Sequence, residues 1–342
     1  METNILKIII FIICFSFGNT NLQANSAQPG VWNAGGKVFT MIFPEDSATF
    51  KKVQMQEERI YMQLYKGYAV VKGWYKFRNT TDEVLNFKMG YPVNGIYSGG
   101  EVYLNQIELD SLSSFKIFSE NQPLQTILQP NHSDFGNITI FSNNWYAWDM
   151  YFAPNQTKEV EVYFIVETNN AGVSKGYNQE RHNAFIYLLE SGSVWKNPIE
   201  KGDFYIQLMD GLTQENVHGM SDYFNMKFNE NKQIFWGQKI NFSPTIKDNL
   251  VITYNERSED FKFENILKKT DELYQTMEKF SATNFEKLEF STFETKDPYE
   301  TETTFWGIFP GLLMMLPFIF SVIFGIFIVI FIIKFFRKKR KP

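Results

Sequence analysis

Apolar and polar residues alternate along most of the chain between positions 31 and 254, and that alternation predicts strands. Residues 59–66 (RIYMQLYK) and 68–78 (YAVVKGWYKFR) are rich in β-branched and aromatic side chains. They flank Lys66-Gly67, a two-residue hairpin turn. Leu85, Phe87, Met89 and Tyr91 then alternate with Asn86, Lys88 and Gly90 until Pro92 closes the run. Further strands are predicted over 102–109, 114–118, 137–142, 145–152 and 160–167. After a loop over 168–179, a second β-rich block runs through 184–189, 203–209, 234–242 and 249–254. The pattern predicts a mainly β protein, an antiparallel β-sandwich built as one large domain or as two subdomains, 25–170 and 171–257, in close contact.

The period changes near Ser258. Phe263, Ile266, Leu267, Leu273, Tyr274, Met277 and Phe280 recur at helical spacing with Lys and Glu between them, which predicts an amphipathic helix packed on the β-domain or on a partner. Residues 281–304 are acidic and Thr-rich without a clear period and read as a membrane-proximal stalk, so 258–304 is helix plus stalk. Residues 306–333 carry no charge, and a hydrocarbon core of roughly 30 Å needs only about 20 apolar helical residues. A single transmembrane helix is therefore predicted over 305–333.

Lys334, Arg337, Lys338, Lys339, Arg340 and Lys341 follow directly. Such a cluster resists translocation and marks 334–342 as a basic cytoplasmic tail. At the other end, Lys7 precedes the apolar run 8–17, which has the length of a signal-peptide core; cleavage is expected after Gly18 or Ala24, making 1–24 a signal peptide. The expected topology is single-pass, with the β-domain outside the cytoplasm. Ser321 and Gly325 are small residues four apart in the anchor, where two helices can approach, so a homodimer through this helix is a candidate.

Composition sharpens this picture in three ways. Cys14 is the sole cysteine and lies in the signal segment, so the mature chain must be stabilised by a core rather than by disulfides. The net charge is −5, and −11 once the +6 of the basic tail is set apart; an acidic exported domain excludes nucleic acid and leaves the bilayer as a partner of the helix alone. The preference for Lys over Arg, with much Asn, Ile and Phe, is the bias of an AT-rich bacterial genome.

Aromatic residues make up 17% of the chain. Trp145, Tyr146, Trp148 and Tyr151 crowd one short strand, where alternation sets Trp145, Asp149 and Tyr151 on one face and Tyr146 with Trp148 on the other. An exposed pair there stacks on a sugar or grips a protein; a buried pair serves the core. The residue pattern offers little chemistry beside this. His132, His182 and His218 are far apart in sequence, with no His-x-x-x-His spacing, and no Gly-rich phosphate loop or EF-hand run is present. Asp149 and Glu190 are carboxylates beside apolar residues, but no spacing selects an acid–base pair. No catalytic residue, metal ligand or cofactor is predicted.

Ala34-Gly35-Gly36, the strand pair 53–64 and 70–77 with Asn79, and Gly90-Tyr91-Pro92 together resemble a bacterial exported family of unknown function. Its pattern is a Gly-Gly start, an N-x-x-D/E turn and a G-aromatic-P strand end. The stretches 145–152 with Pro154, 159–162 and 187–195 are similar to it too. The resemblance implies a β-sandwich in the cell envelope and no catalytic residues. The function expected is a non-catalytic envelope protein that binds another envelope component, protein or polysaccharide. The alternatives are a sensor ectodomain relaying an external event to a separate cytoplasmic partner, and a cryptic envelope hydrolase.

Overall fold

The computed structural model describes residues 30–32, 47–92, 95–98, 107–109, 112–130, 139–141, 144–175, 178–245, 248–302 and 305–338. The signal segment, Ala34-Gly35-Gly36, His132, and Lys339, Arg340 and Lys341 lie outside the described residues.

In chain order, β1 (Gly30–Trp32) and a short helix α1 (Ser47–Phe50) precede the long hairpin β2 (Val53–Tyr65) and β3 (Tyr68–Asn79). There follow β4 (Leu85–Pro92), β5 (Gly95–Ser98), β6 (Ile107–Leu109), β7 (Ser113–Ser119), β8 (Gln122–Pro123) and β9 (Ile127–Pro130). Next come β10 (Thr139–Phe141), β11 (Asn144–Phe152), β12 (Thr157–Glu167), β13 (Ala171–Lys175) and β14 (Asn178–Tyr187). The last strands before the helices are β15 (Ile199–Leu208), β16 (Val217–Met220), β17 (Lys227–Asn229), β18 (Ile234–Phe242) and β19 (Leu250–Glu256). Helices α2 (Phe263–Leu267) and α3 (Thr270–Ser281), strand β20 (Ser291–Thr292) and the long helix α4 (Phe305–Lys338) complete the chain.

The β2–β3 hairpin is the spine. Tyr65 pairs with Tyr68 across Lys66-Gly67, and Gly67 has φ +101°, the left-handed conformation that a tight hairpin demands and that glycine adopts without strain. Among the described residues, nine strands form one sheet in the order β20-β17-β18-β15-β2-β3-β12-β7-β8. All its pairings are antiparallel except β15 with β2, so strands from both sides of residue 170 share a single sheet. A five-stranded sheet, β1-β13-β14-β19-β16, and a three-stranded one, β4-β11-β9, also contribute to the core; β10-β5-β6 is a separate short sheet.

Alternation assigns each face of the large sheet a different cover. Ile60, Met62 and Leu64 of β2, Val71, Tyr75 and Phe77 of β3 and Val162, Phe164 and Val166 of β12 pack against Phe87, Trp148, Phe185, Tyr187, Ile252 and Tyr254 of the smaller sheets. The intervening residues Tyr61, Tyr65, Tyr68, Val70, Tyr163 and Ile165 pack instead against Leu273, Tyr274, Met277 and Phe280 of α3. Burial on both faces is why the central strands read as nearly continuous apolar and aromatic runs.

The amphipathic helix therefore packs on its own domain. Lys72, 6% exposed, reaches across to it, with Nζ 3.1 Å from Glu161 and 3.0 Å from Glu278. The Tyr163 hydroxyl also donates to Glu278, and the Tyr274 hydroxyl donates to the Ser114 carbonyl. These bonds fix the helix in register over β3 and β12, where a purely apolar contact would leave it free to slide.

The acidic segment expected as a stalk does lead from α3 towards α4, but it runs along the domain as a strap. The Phe285 ring stacks on Tyr205 at 3.9 Å, β20 pairs with β17, and the Phe293 ring meets Phe235 at 4.8 Å. Aromatic residues spaced along this acidic stretch supply the anchors that its charge content conceals. Helix α4 follows. Its stretch Leu312–Phe336 is, among the described residues, the one helix long and apolar enough to cross a membrane.

Candidate functional site

The strand singled out for its aromatics is β11, which pairs with β4 and β9. Trp145 lies on it opposite Pro92 and Gln129. Trp148 is 2% exposed and its ring lies against Tyr91 at 5.9 Å, while Tyr146 is half-buried and stacks on Phe115 at 5.1 Å. Tyr151 is turned outward, with Lys158 Nζ 5.7 Å from its ring. A binding platform that includes Trp148 is thus corrected: the face carrying Tyr146 and Trp148 is the one that closes over the core. Asp149 is exposed and ion-pairs with Lys88 at 2.8 Å.

In α4, the Ser321 hydroxyl donates to the Phe318 carbonyl within its own helix, and a Cβ added at Gly325 would meet open space. The helix continues past Lys334 and Arg337 to Lys338.

A concavity lies elsewhere, where the strap crosses the sheet. Three pieces of chain surround a cleft of about 550 Å³. Thr213, Glu215, Val217 and His218 come from the β15–β16 connection and β16, Phe228, Glu230 and Gln233 from the β17–β18 hairpin, and Phe293, Glu294 and Lys296 from the strap. Phe228 is buried and Phe293 packs against the core beside it, which gives an aromatic floor. Three carboxylates against one ammonium make the rim acidic. The Gln233 side-chain amide donates to the Glu230 backbone carbonyl at 2.7 Å, and its Oε1 is buried without a hydrogen-bond partner.

The cleft's one hydroxyl, on Thr213, donates to Asn216 and not to His218, so no nucleophile–base pair is assembled. Among the described residues, no group of His, Cys, Asp or Glu is arranged to hold a metal ion. The cleft thus offers aromatic side chains at its floor and carboxylate hydrogen-bond acceptors at its rim.

Beside the cleft the structure brings together two residues that sequence reading left apart. The rings of His182 and His218 lie 4.3 Å apart between centroids. Burial, and then the neighbouring His182, hold His218 below the ordinary histidine range. No spacing motif announces the pair, because β19 stands between the two strands that carry it.

The strap is pinned at the same edge. Met220 donates its backbone N–H to the Lys296 carbonyl at 3.0 Å, Lys175 pairs with Asp297 at 3.1 Å, and the Glu302 N–H donates to Glu180. Gly219 permits this approach: a Cβ there would collide with the backbone of Asp297 and Pro298. Gly219→Ala is expected to lift the strap while leaving the sheets intact, read as faster proteolysis between 294 and 302 with an unchanged far-ultraviolet circular dichroism spectrum. Proteolysis at the wild-type rate would refute this.

No family model matches the chain, and no curated protein matches it. Among solved structures, a putative nutrient binding protein from Legionella pneumophila superposes with a TM-score of 0.46 at 12% identity, over 64% of this chain and 70% of that one. Yeast LTA4 hydrolase, native and in complex with bestatin, superposes with a TM-score of 0.33 at 7% identity. That match covers 60% of this chain but 29% of the hydrolase, and likenesses this distant carry no functional argument.

Proposed function

We propose that this chain is a single-pass, membrane-anchored envelope protein whose extracytoplasmic β-domain binds another envelope component, a protein or polysaccharide segment, without chemistry upon it. The observation that carries this reading is the acidic, aromatic-floored cleft whose third wall is the strap leading to an apolar helix. The basic cluster from Lys334 onward supports the outward orientation of the domain, and the resemblance to exported β-sandwich proteins points the same way.

Two measurements test it. Protease added to intact spheroplasts is expected to digest the domain while sparing an epitope fused after Pro342; a protected domain overturns the orientation. Photo-crosslinking residues placed at Glu215 and Glu294 are expected to form adducts in living cells, and failure at both, with cross-links forming elsewhere on the domain, removes the cleft as the binding site.

A sensor reading has one observation in its favour: the strap is hydrogen-bonded to β14 at Glu302, just before α4 begins, so a change at the cleft has a short mechanical route to the membrane. Deleting residues 337–342 without any effect on insertion or phenotype would dismiss it. For the anchor, Gly325→Ile is expected to reduce self-association in membranes several-fold by filling the gap beside Ser321. Unchanged association would exclude a dimer through that face.

A further inference from the structure

His182 and His218 approach β19 from opposite sides, on β14 and β16. Each stands at an irregularity: the β14–β19 register shifts between His182 and Asn183, and the β16–β19 register shifts between Val217 and Gly219. A bulge re-aims the side chain it displaces, and here two bulges direct two imidazoles at one another.

The groups facing the pair come from every element around it. On β14 itself, Glu180 Oε2 lies 2.8 Å from His182 Nε2. Glu256 of β19 is the register partner of His182, and its charge also acts on His218. Lys296 of the strap acts on His218 with the opposite sign, and the next strap residue, Asp297, is paired with Lys175 of β13. The Nδ1 atom of His182 is buried with no hydrogen-bond partner. Glu180 is shared, because its other oxygen accepts the backbone N–H of Glu302. One carboxylate therefore holds both a histidine and the end of the strap.

We propose that the His182–His218 pair is a proton-operated latch: on mild acidification His218 gains a proton against the His182 ring and Lys296, the contact between the two rings breaks, and residues 296–302 are released from the β14–β19–β16 edge. Release withdraws Lys296 from the rim of the cleft and frees the segment that leads into α4. The strap gives way before the sheet does because the polar contacts that hold it here, among the described residues, are the backbone hydrogen bond from Met220, the Lys175–Asp297 ion pair and the Glu180 contact, whereas β14 and β19 share a ladder from His182 to Tyr187. The closed form disfavours protonated His218, so by linkage a proton disfavours the closed form. Closure is complete above the ordinary histidine value of about 6.5 and is lost as the pH falls through and below it. The geometry is internal to the domain and holds whichever side of the membrane the domain faces.

Hydrogen exchange on the full chain in detergent micelles, corrected for intrinsic rates, tests this at pH 7.5 and 5.5. Protection of residues 296–302 is expected to fall at least tenfold at the lower pH while β2 and β3 keep theirs. His218→Gln is expected to remove that response, and Gly219→Ala to show the open strap at both values. Equal wild-type protection at both pH values overturns the latch, as does a full response in the His182→Gln/His218→Gln double variant. Should His218→Gln lose β2–β3 protection at pH 7.5, His182→Gln decides alone: a retained response refutes the proposal and a lost one supports it.

Discussion

Replacing Glu58 by Gln is expected to stabilise the protein by about 3 kcal/mol at pH 7 and to flatten its stability between pH 5 and 8. Glu58 lies on β2 in phase with Ile60, Met62 and Leu64, so it faces the core between the sheets, where it is 3% exposed and its Oε1 has no hydrogen-bond partner. Its surroundings are the Tyr75 hydroxyl, which bonds those of Tyr91 at 3.1 Å and Tyr187 at 3.0 Å. Burial lifts its carboxyl from the ordinary 4.5 to about 8. Burial likewise raises the three tyrosines, so none of them supplies a charge at neutral pH.

The sign follows directly. Below pH 4.5 the carboxyl is protonated folded or unfolded, and the group has no effect on stability. Between 4.5 and 8 the folded chain keeps a proton that the unfolded chain releases, so stability falls as the pH rises and the loss is complete above pH 8. At about 1.4 kcal/mol per pH unit the deficit reaches roughly 3 kcal/mol at pH 7 and about 5 at its limit. Glutamine keeps the shape and cannot ionise. Urea midpoints of wild type and Glu58→Gln measured from pH 5 to 9 check this, and an undiminished pH slope in the variant would refute it.

Trp195→Ala is expected to cost about 3–5 kcal/mol, the largest destabilisation among these changes. Trp195 follows the turn Leu189–Val194 and is 1% exposed, with its ring 4.8 Å from Phe50, 4.7 Å from Phe77 and 6.3 Å from Phe87. It joins α1, β3 and β4 at one point, and packed elements on three sides would leave the cavity largely uncollapsed. Its indole N–H is buried without a partner, so Trp195→Phe, which removes that donor, is expected to cost less than half as much. Comparable losses for the two substitutions, by the same urea measurement, would show that ring volume is not what holds this junction.

Trp195 thus serves packing. The same holds for Trp148, whose aromatic strand invited a binding role. An inward face and an outward face carry the same residue types here, because a disulfide-free core of this size is itself built from aromatic rings.

The sequence alone determined whatever is written in local period and turn chemistry. The β2–β3 hairpin, the strand at β11, the helical face of α3 and the apolar run of α4 are each specified by residues within a few positions of one another, since side-chain direction repeats every two or every 3.6 residues. Tertiary structure alone decided the rest: that β15 lies parallel beside β2 and makes both halves one sheet, that an acidic stretch lies down as a strap on Tyr205 and Phe235, and that two histidines meet across β19. Those outcomes depend on which distant surfaces share a core and on bulges that shift register by one residue, and neither leaves a period in the chain.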